Sequence, residues 1–260
     1  MISYVREIWR LRYFWLALVH NDLRSRYRRS VIGVGWSLLH PIAMTAVLCM
    51  VFSNLFGADI RTYAPFLLAG LVIWNFVVAT IQQGCHCFIM GEPYIRQYPA
   101  PLAIYPLRCA LGAVIHLLLG LAVVLVFSWG TGGLKHPAAL VSLAPTLVLL
   151  FLFGWSVAVC MGTMNVMFQD TQHLVEVGVQ ILFYVTPIMY PPELLQQRHL
   201  GWFVAANPVA LFLELVRRPI LSGEFPPLET LALATALTLA MASVTAALLW
   251  KVERRIIFYL

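Results

Sequence analysis

The sequence predicts an all-α integral membrane protein, and three observations carry that prediction. Of its 260 residues 61% are hydrophobic and only 11% are charged, whereas charge makes up about a quarter of an ordinary soluble domain. The apolar residues fall in runs long enough to cross a bilayer. The few cations gather at the ends of those runs instead of lining a polar face, so the pI near 9.2 points to anionic lipid headgroups and not to nucleic acid.

Crossing the hydrocarbon takes about 20 apolar residues in a helix. Segments 32–56, 63–82, 107–129, 140–164 and 228–250 meet that length, and 174–189 is a shorter span stopped by Pro187, Pro191 and Pro192. Between 189 and 228 the stretch 200–221 is apolar but broken at Asn207 and Pro208, and it carries Glu214, Arg217, Arg218 and Pro219. Charge decides whether it crosses. Arg24, Arg26, Arg28 and Arg29 precede the first span and Lys251, Arg254 and Arg255 follow the last; cationic flanks stay cytoplasmic. Both termini are then cytoplasmic, the number of crossings is even, and the expectation is six spans plus a re-entrant hairpin over 190–222. In that arrangement 12 of the 17 Lys and Arg lie inside, leaving Arg61, Lys135, Arg198, Arg217 and Arg218 outside. Irregular backbone at membrane depth requires protein or water around it, so the hairpin predicts a polar passage beside it.

Residues 1–30 lack the unbroken apolar stretch and small-residue cleavage site of a secretory signal, so the N-terminus is expected to be retained. Tyr4, Ile8, Leu11, Trp15 and Leu18 recur at spacings of four and three, the period of an amphipathic helix lying in the interface. A plain positive-inside anchor is the alternative. The inner connection over 84–106 predicts a short helix bounded by Pro99, Pro101 and Pro106, presenting Glu92, Pro93, Tyr94, Ile95 and Arg96 as a docking element; a solvated turn is the alternative.

Several chemistries find no foothold. A P-loop needs a Gly-rich turn ending in Lys before Ser or Thr, and the two lysines, Lys135 before His136 and Lys251 after Trp250, do not supply one. Cys85, His86 and Cys87 have no second cluster to complete a metal shell. The other cysteines, Cys49, Cys109 and Cys160, fall in spans or on the reducing inner side, where disulfides are not expected. Asp170, Glu176 and Glu214 do not form a mid-membrane relay, and no nucleophile elbow is present. Aromatic rings do recur in and beside the spans: Trp36, Phe52, Phe56, Tyr63, Phe66, Trp74, Tyr184 and Tyr190. Such rings suit the C–H faces and hydroxyls of sugars in a channel, or serve as lipid-facing and helix-packing residues.

Tyr27, Arg28, Arg29, Ser30, Val31, Ile32, Gly33, Trp36 and Pro41 resemble the start of the first span in the membrane subunits of ABC exporters for cell-surface polysaccharides, the group that includes O-antigen, capsule and teichoic acid permeases. Thr186, Pro187, Ile188, Met189, Tyr190 and Pro191, then Asn207, Pro208 and Arg217, resemble that group's second signature. The resemblance covers essentially the whole chain, taken as one transmembrane domain. It departs at Gln169, between Phe168 and Asp170, where such permeases often carry Arg.

The resemblance implies a multi-pass protein of the inner membrane that pairs with a second copy of itself and with a cytoplasmic ABC ATPase dimer. ATP and Mg would be bound there, and no cofactor by this chain. The cargo it implies is a lipid-linked or lipid-terminated polysaccharide, with a small hydrophobic compound or lipid as the alternative and a periplasmic or outer-membrane export partner left open. It implies an N-terminal interface helix, a coupling element at Glu92 to Arg96, and a periplasmic gate from the hairpin, with Pro187, Pro191, Asn207, Pro208, Glu214 and Arg217 in it. Arg24, Arg26, Arg28 and Arg29 would then meet the phosphate of the lipid carrier or an anionic headgroup; topological charge alone is the alternative.

Overall fold

The structure, a computed structural model, describes residues 2–56, 59–98, 100–132, 136–193, 201–253, 256 and 259. Lys135, Arg198, Arg254 and Arg255 lie outside the described residues, as do residues 194–200 of the expected hairpin and the side chain of Phe56. All regular structure among the described residues is helical. In chain order the helices are α1 (Ile2–Arg10), α2 (Arg12–Tyr27), α3 (Trp36–Phe56), α4 (Ile60–Gln97), α5 (Ile104–Gly130), α6 (Leu143–Met167), α7 (Thr171–Val185), α8 (Gly201–Ala206), α9 (Pro208–Arg217) and α10 (Leu228–Val252). Among the described residues five segments are long and apolar enough to cross a membrane: Gly33–Phe52, Ile60–Gln97, Ile104–Gly130, Pro137–Met167 and Leu228–Val252.

The axis of the bundle is α4. Its 38 residues make a rod about 57 Å long at 1.5 Å per residue, nearly twice the roughly 30 Å of hydrocarbon. At its start the Asp59 carboxylate accepts from the Arg61 N–H at 3.0 Å. The short separate helix expected within 84–106 is instead the continuation of α4, so Glu92 to Arg96 are its last turns. Pro93 is tolerated because it removes a single ladder hydrogen bond near the end, and the buried Cys87, Phe88 and Ile95 hold those turns in a core.

Small residues let α6 approach α4 closely. Gly154, Ala158 and Gly162 stand four residues apart on one face of α6. A Cβ at Gly162 would come within 2.7 Å of the Gly84 carbonyl oxygen, and one at Gly84 within 2.7 Å of the Ala158 Cα. Such stripes drive helix association in lipid, where no hydrophobic force acts between helices. Asn165 Nδ2, buried beside the stripe, donates to the Cys85 carbonyl at 2.9 Å. On its other side α6 meets α10, where Thr245 Oγ1 lies 3.2 Å from the Ser156 carbonyl oxygen.

The fifth predicted span is shorter than its apolar run. With 15 residues, α7 reaches about 22 Å at 1.5 Å per residue. It ends at Val185 because Pro187 pushes Thr186 out of the helical region, to φ −79° and ψ 134°, as a residue before proline is pushed. Beyond it, α8 and α9 are separated at Asn207, and Arg218–Ser222 closes the segment as a single π-helical turn before Gly223 at φ +68°. Val209, Phe212, Leu213, Leu215 and Val216 of α9 are buried in the main core against α4, α6 and α10.

At the opposite end of the bundle a second core joins α1, α2, the end of α4, residues 102–109 and the end of α10. The N-terminal stripe faces this core: Ile8 and Leu18 are buried, and Tyr4, Leu11 and Trp15 are partly so. Tyr4 Oη donates to Glu253 Oε1 at 2.9 Å and accepts from the Ala103 N–H at 3.3 Å, and burial raises the Tyr4 phenol above its usual range. The outward face carries a second apolar row, Val5, Trp9, Tyr13 and Leu16, all exposed, with the Arg12 guanidinium 4.6 Å from the Tyr13 ring centre.

Candidate functional site

Two polar constellations stand at opposite ends of α4. Near the start of α4, the turn after α7 is held by three side chains from elsewhere in the chain. Asn207 Nδ2 donates to Thr186 Oγ1 at 2.8 Å while Asn207 Oδ1 accepts from the Val209 N–H at 2.9 Å, so one amide caps α9 and fastens it to α7. Tyr63 Oη donates to the Met189 carbonyl at 2.6 Å. Arg217, 7% exposed, donates to the carbonyls of Pro187 at 2.7 Å, Ile188 at 2.9 Å and Phe66 at 3.1 Å. Its guanidinium lies 3.6 Å from the Phe66 ring centre and against Gly70, where any Cβ would overlap it. A planar fork of donors is what three divergent carbonyls require.

The structure therefore brings Pro187, Asn207 and Arg217 together. It does not bring Glu214 with them: that carboxylate turns outward to Arg218 at 3.4 Å. Pro191 is exposed.

At the other end, α2, α4, α5 and α7 enclose an open cavity of about 560 Å³. Arg108, 5% exposed, lies with its Nε 3.1 Å from Asp22 Oδ2, out of line for a hydrogen bond. Burial raises the Asp22 carboxyl above its ordinary value, against the lowering pull of Arg108 and Arg26. Arg26 Nη1 and Tyr27 Oη approach His116 Nε2 at 3.5 and 3.3 Å. Of the four predicted arginines, Arg26 alone lines this cavity; Arg24, Arg28 and Arg29 are exposed, Arg29 at φ +68°. Sequence reasoning passed over Arg108 and His116. Both fall inside the predicted third span, where an ionisable side chain is expensive and marks function.

The predicted docking residues lie at the same end. Arg96 Nε donates to Glu92 Oε1 at 2.8 Å on the accessible face. Ile95 turns into the core, Pro93 is exposed, and Tyr94 meets Phe14 edge-on at 6.0 Å.

The eight aromatics do not form one stripe. Tyr63 and Phe66 belong to the knot around Arg217, and Trp74 is buried at 5.4 Å from Phe183. Tyr190 donates to the Tyr184 and Val185 carbonyls at 2.9 and 3.1 Å, capping α7. Phe52 is partly buried beside Tyr63. Trp36 and Tyr184 are exposed, and Tyr184 continues an exposed row on α7 with Leu174, Val177 and Ile181.

Membrane-length helices packed around the short buried helix α9, with a polar cavity among them, define a multi-pass helical membrane protein. The chain belongs to the ABC-2 type transporter family, which its residues 13–221 match. It is similar to the protein named O-antigen export system permease protein RfbA of Myxococcus xanthus, 26% identical over 252 residues, covering 96% of this chain and 94% of that one. A Klebsiella pneumoniae protein of the same name is 24% identical over 208 residues, 80% of each chain. Polysialic acid transport protein KpsM of Escherichia coli is 22% identical over 230 residues, 86% of this chain and 88% of its own.

Proposed function

We propose that this chain is the permease subunit of an ATP-driven exporter that carries a lipid-linked or lipid-terminated polysaccharide across the inner membrane. The observation that carries the reading is its end-to-end likeness to a permease named for O-antigen export, over 96% of this chain. The alternative cargo, a small hydrophobic compound or lipid, draws no support from those names.

In this reading α7 is the fifth of six crossings and both termini are cytoplasmic. The segment 190–222 is a re-entrant gate, and the burial of α9 supports it, because broken helices at membrane depth need protein around them. Trp9 and Tyr13 would sit in the headgroup layer, where amphipathic rings are favoured. The exposed row on α7 would meet a second copy or the polymer, and Glu92 to Arg96 would meet a cytoplasmic ATPase.

The test is transport. Inverted membrane vesicles containing the chain and its ATPase, loaded on their outer face with lipid-linked polysaccharide, are expected to move it into the lumen on adding ATP. Polysaccharide that stays degradable from outside, with ATP being consumed, would refute the reading.

A further inference from the structure

The cavity between α2, α4, α5 and α7 is idle in the fold, and its chemistry is selective. Its volume, about 560 Å³, lies within the roughly 300–1,000 Å³ of small-molecule sites. Its charges cancel: Arg26 and Arg108 stand against Asp22 and Glu176, and Arg108 is already beside Asp22 at 3.1 Å. The remaining polar lining is Ser25, Gln82, Gln83, His86, His116 and Gln172, hydroxyl, amide and imidazole groups. These are paired donors and acceptors, the complement of hydroxyl groups. With two guanidinium groups already matched by two carboxylates, the lining keeps no net positive charge for a bare phosphate.

A second observation is independent of polarity. Gly112 lines the cavity in the middle of α5, and a Cβ there would meet nothing within 4 Å. Glycine inside a helix costs about 1 kcal/mol relative to alanine, and here no close approach of another part of the chain requires it. The space in front of it is left open by the protein's own packing, and the neighbouring Leu23, Met90 and Val175 offer apolar contact to a ring's C–H face.

We propose that this cavity is a binding subsite for an uncharged, hydroxyl-rich sugar unit of the glycan. The proposal rests on the export reading and adds to it a place where a sugar is held.

The test reads occupancy, not transport. Ser25→Cys places a thiol in the lining, and its rate of maleimide labelling in nanodiscs is measured over that of the parent chain. The probes are dephosphorylated di- and trisaccharides from the surface glycan of the source cell, inorganic pyrophosphate, and phosphoethanolamine. At ten times their Kd the saccharides leave about a tenth of cavities free, so labelling slows about tenfold. Gly112→Leu in the same background fills the cavity and abolishes that protection. Gly178→Leu, also at an open helix position but outside the cavity, leaves it intact. Protection by pyrophosphate or phosphoethanolamine alone makes this a phosphate or lipid-headgroup site and overturns the proposal, as does protection by none. Wild-type export without saccharide protection removes the sugar site and spares the export reading; saccharide protection without ATP-driven export does the reverse.

Discussion

Replacing Arg217 tests whether the hairpin end is held as the geometry says. In Arg217→Met the carbonyls of Phe66, Pro187 and Ile188 lose the donor that reaches them at 2.7 to 3.1 Å. Each buried acceptor left unpaired costs about 1–3 kcal/mol. Against that stands the relief of no longer burying a cation, an effective penalty of several kcal/mol. Three acceptors and a lost ring contact leave a net loss of about 2–4 kcal/mol. At about 2–4 °C per kcal/mol for a chain of this size, the thermal midpoint falls by about 10 °C. The assay is unfolding of the purified protein in nanodiscs, followed by loss of the monodisperse peak on size exclusion. Arg217→Lys sharpens it: an ammonium keeps the charge but cannot reach the Pro187 carbonyl together with those of Phe66 and Ile188, which the fork serves from its two terminal nitrogens, Nη1 and Nη2, so it recovers less than half the loss. A midpoint unchanged in Arg217→Met, or full recovery in Arg217→Lys, would refute the reasoning.

The remaining predictions concern other parts of the chain. Glu92→Ala with Arg96→Ala removes an exposed ion pair worth at most about 1 kcal/mol, so folding is kept while ATP hydrolysis is uncoupled from export; undiminished export would rule out the docking role. Gly162→Ala drives a methyl to 2.7 Å from the Gly84 carbonyl oxygen, an overpacking that costs about 1–3 kcal/mol, and a thermal midpoint equal to wild type would show that α4 and α6 are not so closely set. A thiol-accessibility reporter placed after Arg198 labels from outside and one after Leu260 from inside; the opposite pattern would reverse the six-span topology.

Five of the six expected spans coincide with long apolar helices, because hydropathy is a property of consecutive residues; the expected span 174–189 is not among the five. The length of α4 was not legible, since Gln82, Gln83, His86 and Glu92 break the apolar run while the helix continues through them, held by contacts from α2, α5 and α6 that the local sequence does not show. Asn207, Pro187 and Arg217 could each be singled out by type. Their union could not, because the acceptors of Arg217 are backbone carbonyls at positions 66, 187 and 188, and a carbonyl leaves no mark on residue identity. The N-terminal period was read correctly as helical. Its direction depended on a partner: Ile95, Leu249 and Val252 bury the regular stripe, while the row with Trp9 and Tyr13 is the one left outward. For the cavity a signal existed. Arg108 and His116 interrupt an otherwise apolar span, and the cost of an ionisable group there was reason enough to look for its neighbours.

One continuous helix connects these places. Tyr63, Phe66 and Gly70 at one end of α4 engage the knot, Gln82, Gln83, His86 and Met90 in its other half line the cavity, and Glu92 and Arg96 stand at its last turns. Its middle is keyed into α6 through Gly84, Ala158 and Gly162, where an added Cβ meets backbone within 3 Å; so close a fit has no slack for bending or sliding. A displacement of the last turns therefore moves α4 and α6 together. The turn over 187–190 lies beyond the helical ladder of α7, and the side chains of Asn207, Tyr63 and Arg217 hold it from outside that helix. In the proposed exporter a bistable element would lie where small shifts exchange one discrete set of contacts for another, and among the described residues the three carbonyls in front of Arg217 are a discrete set of contacts.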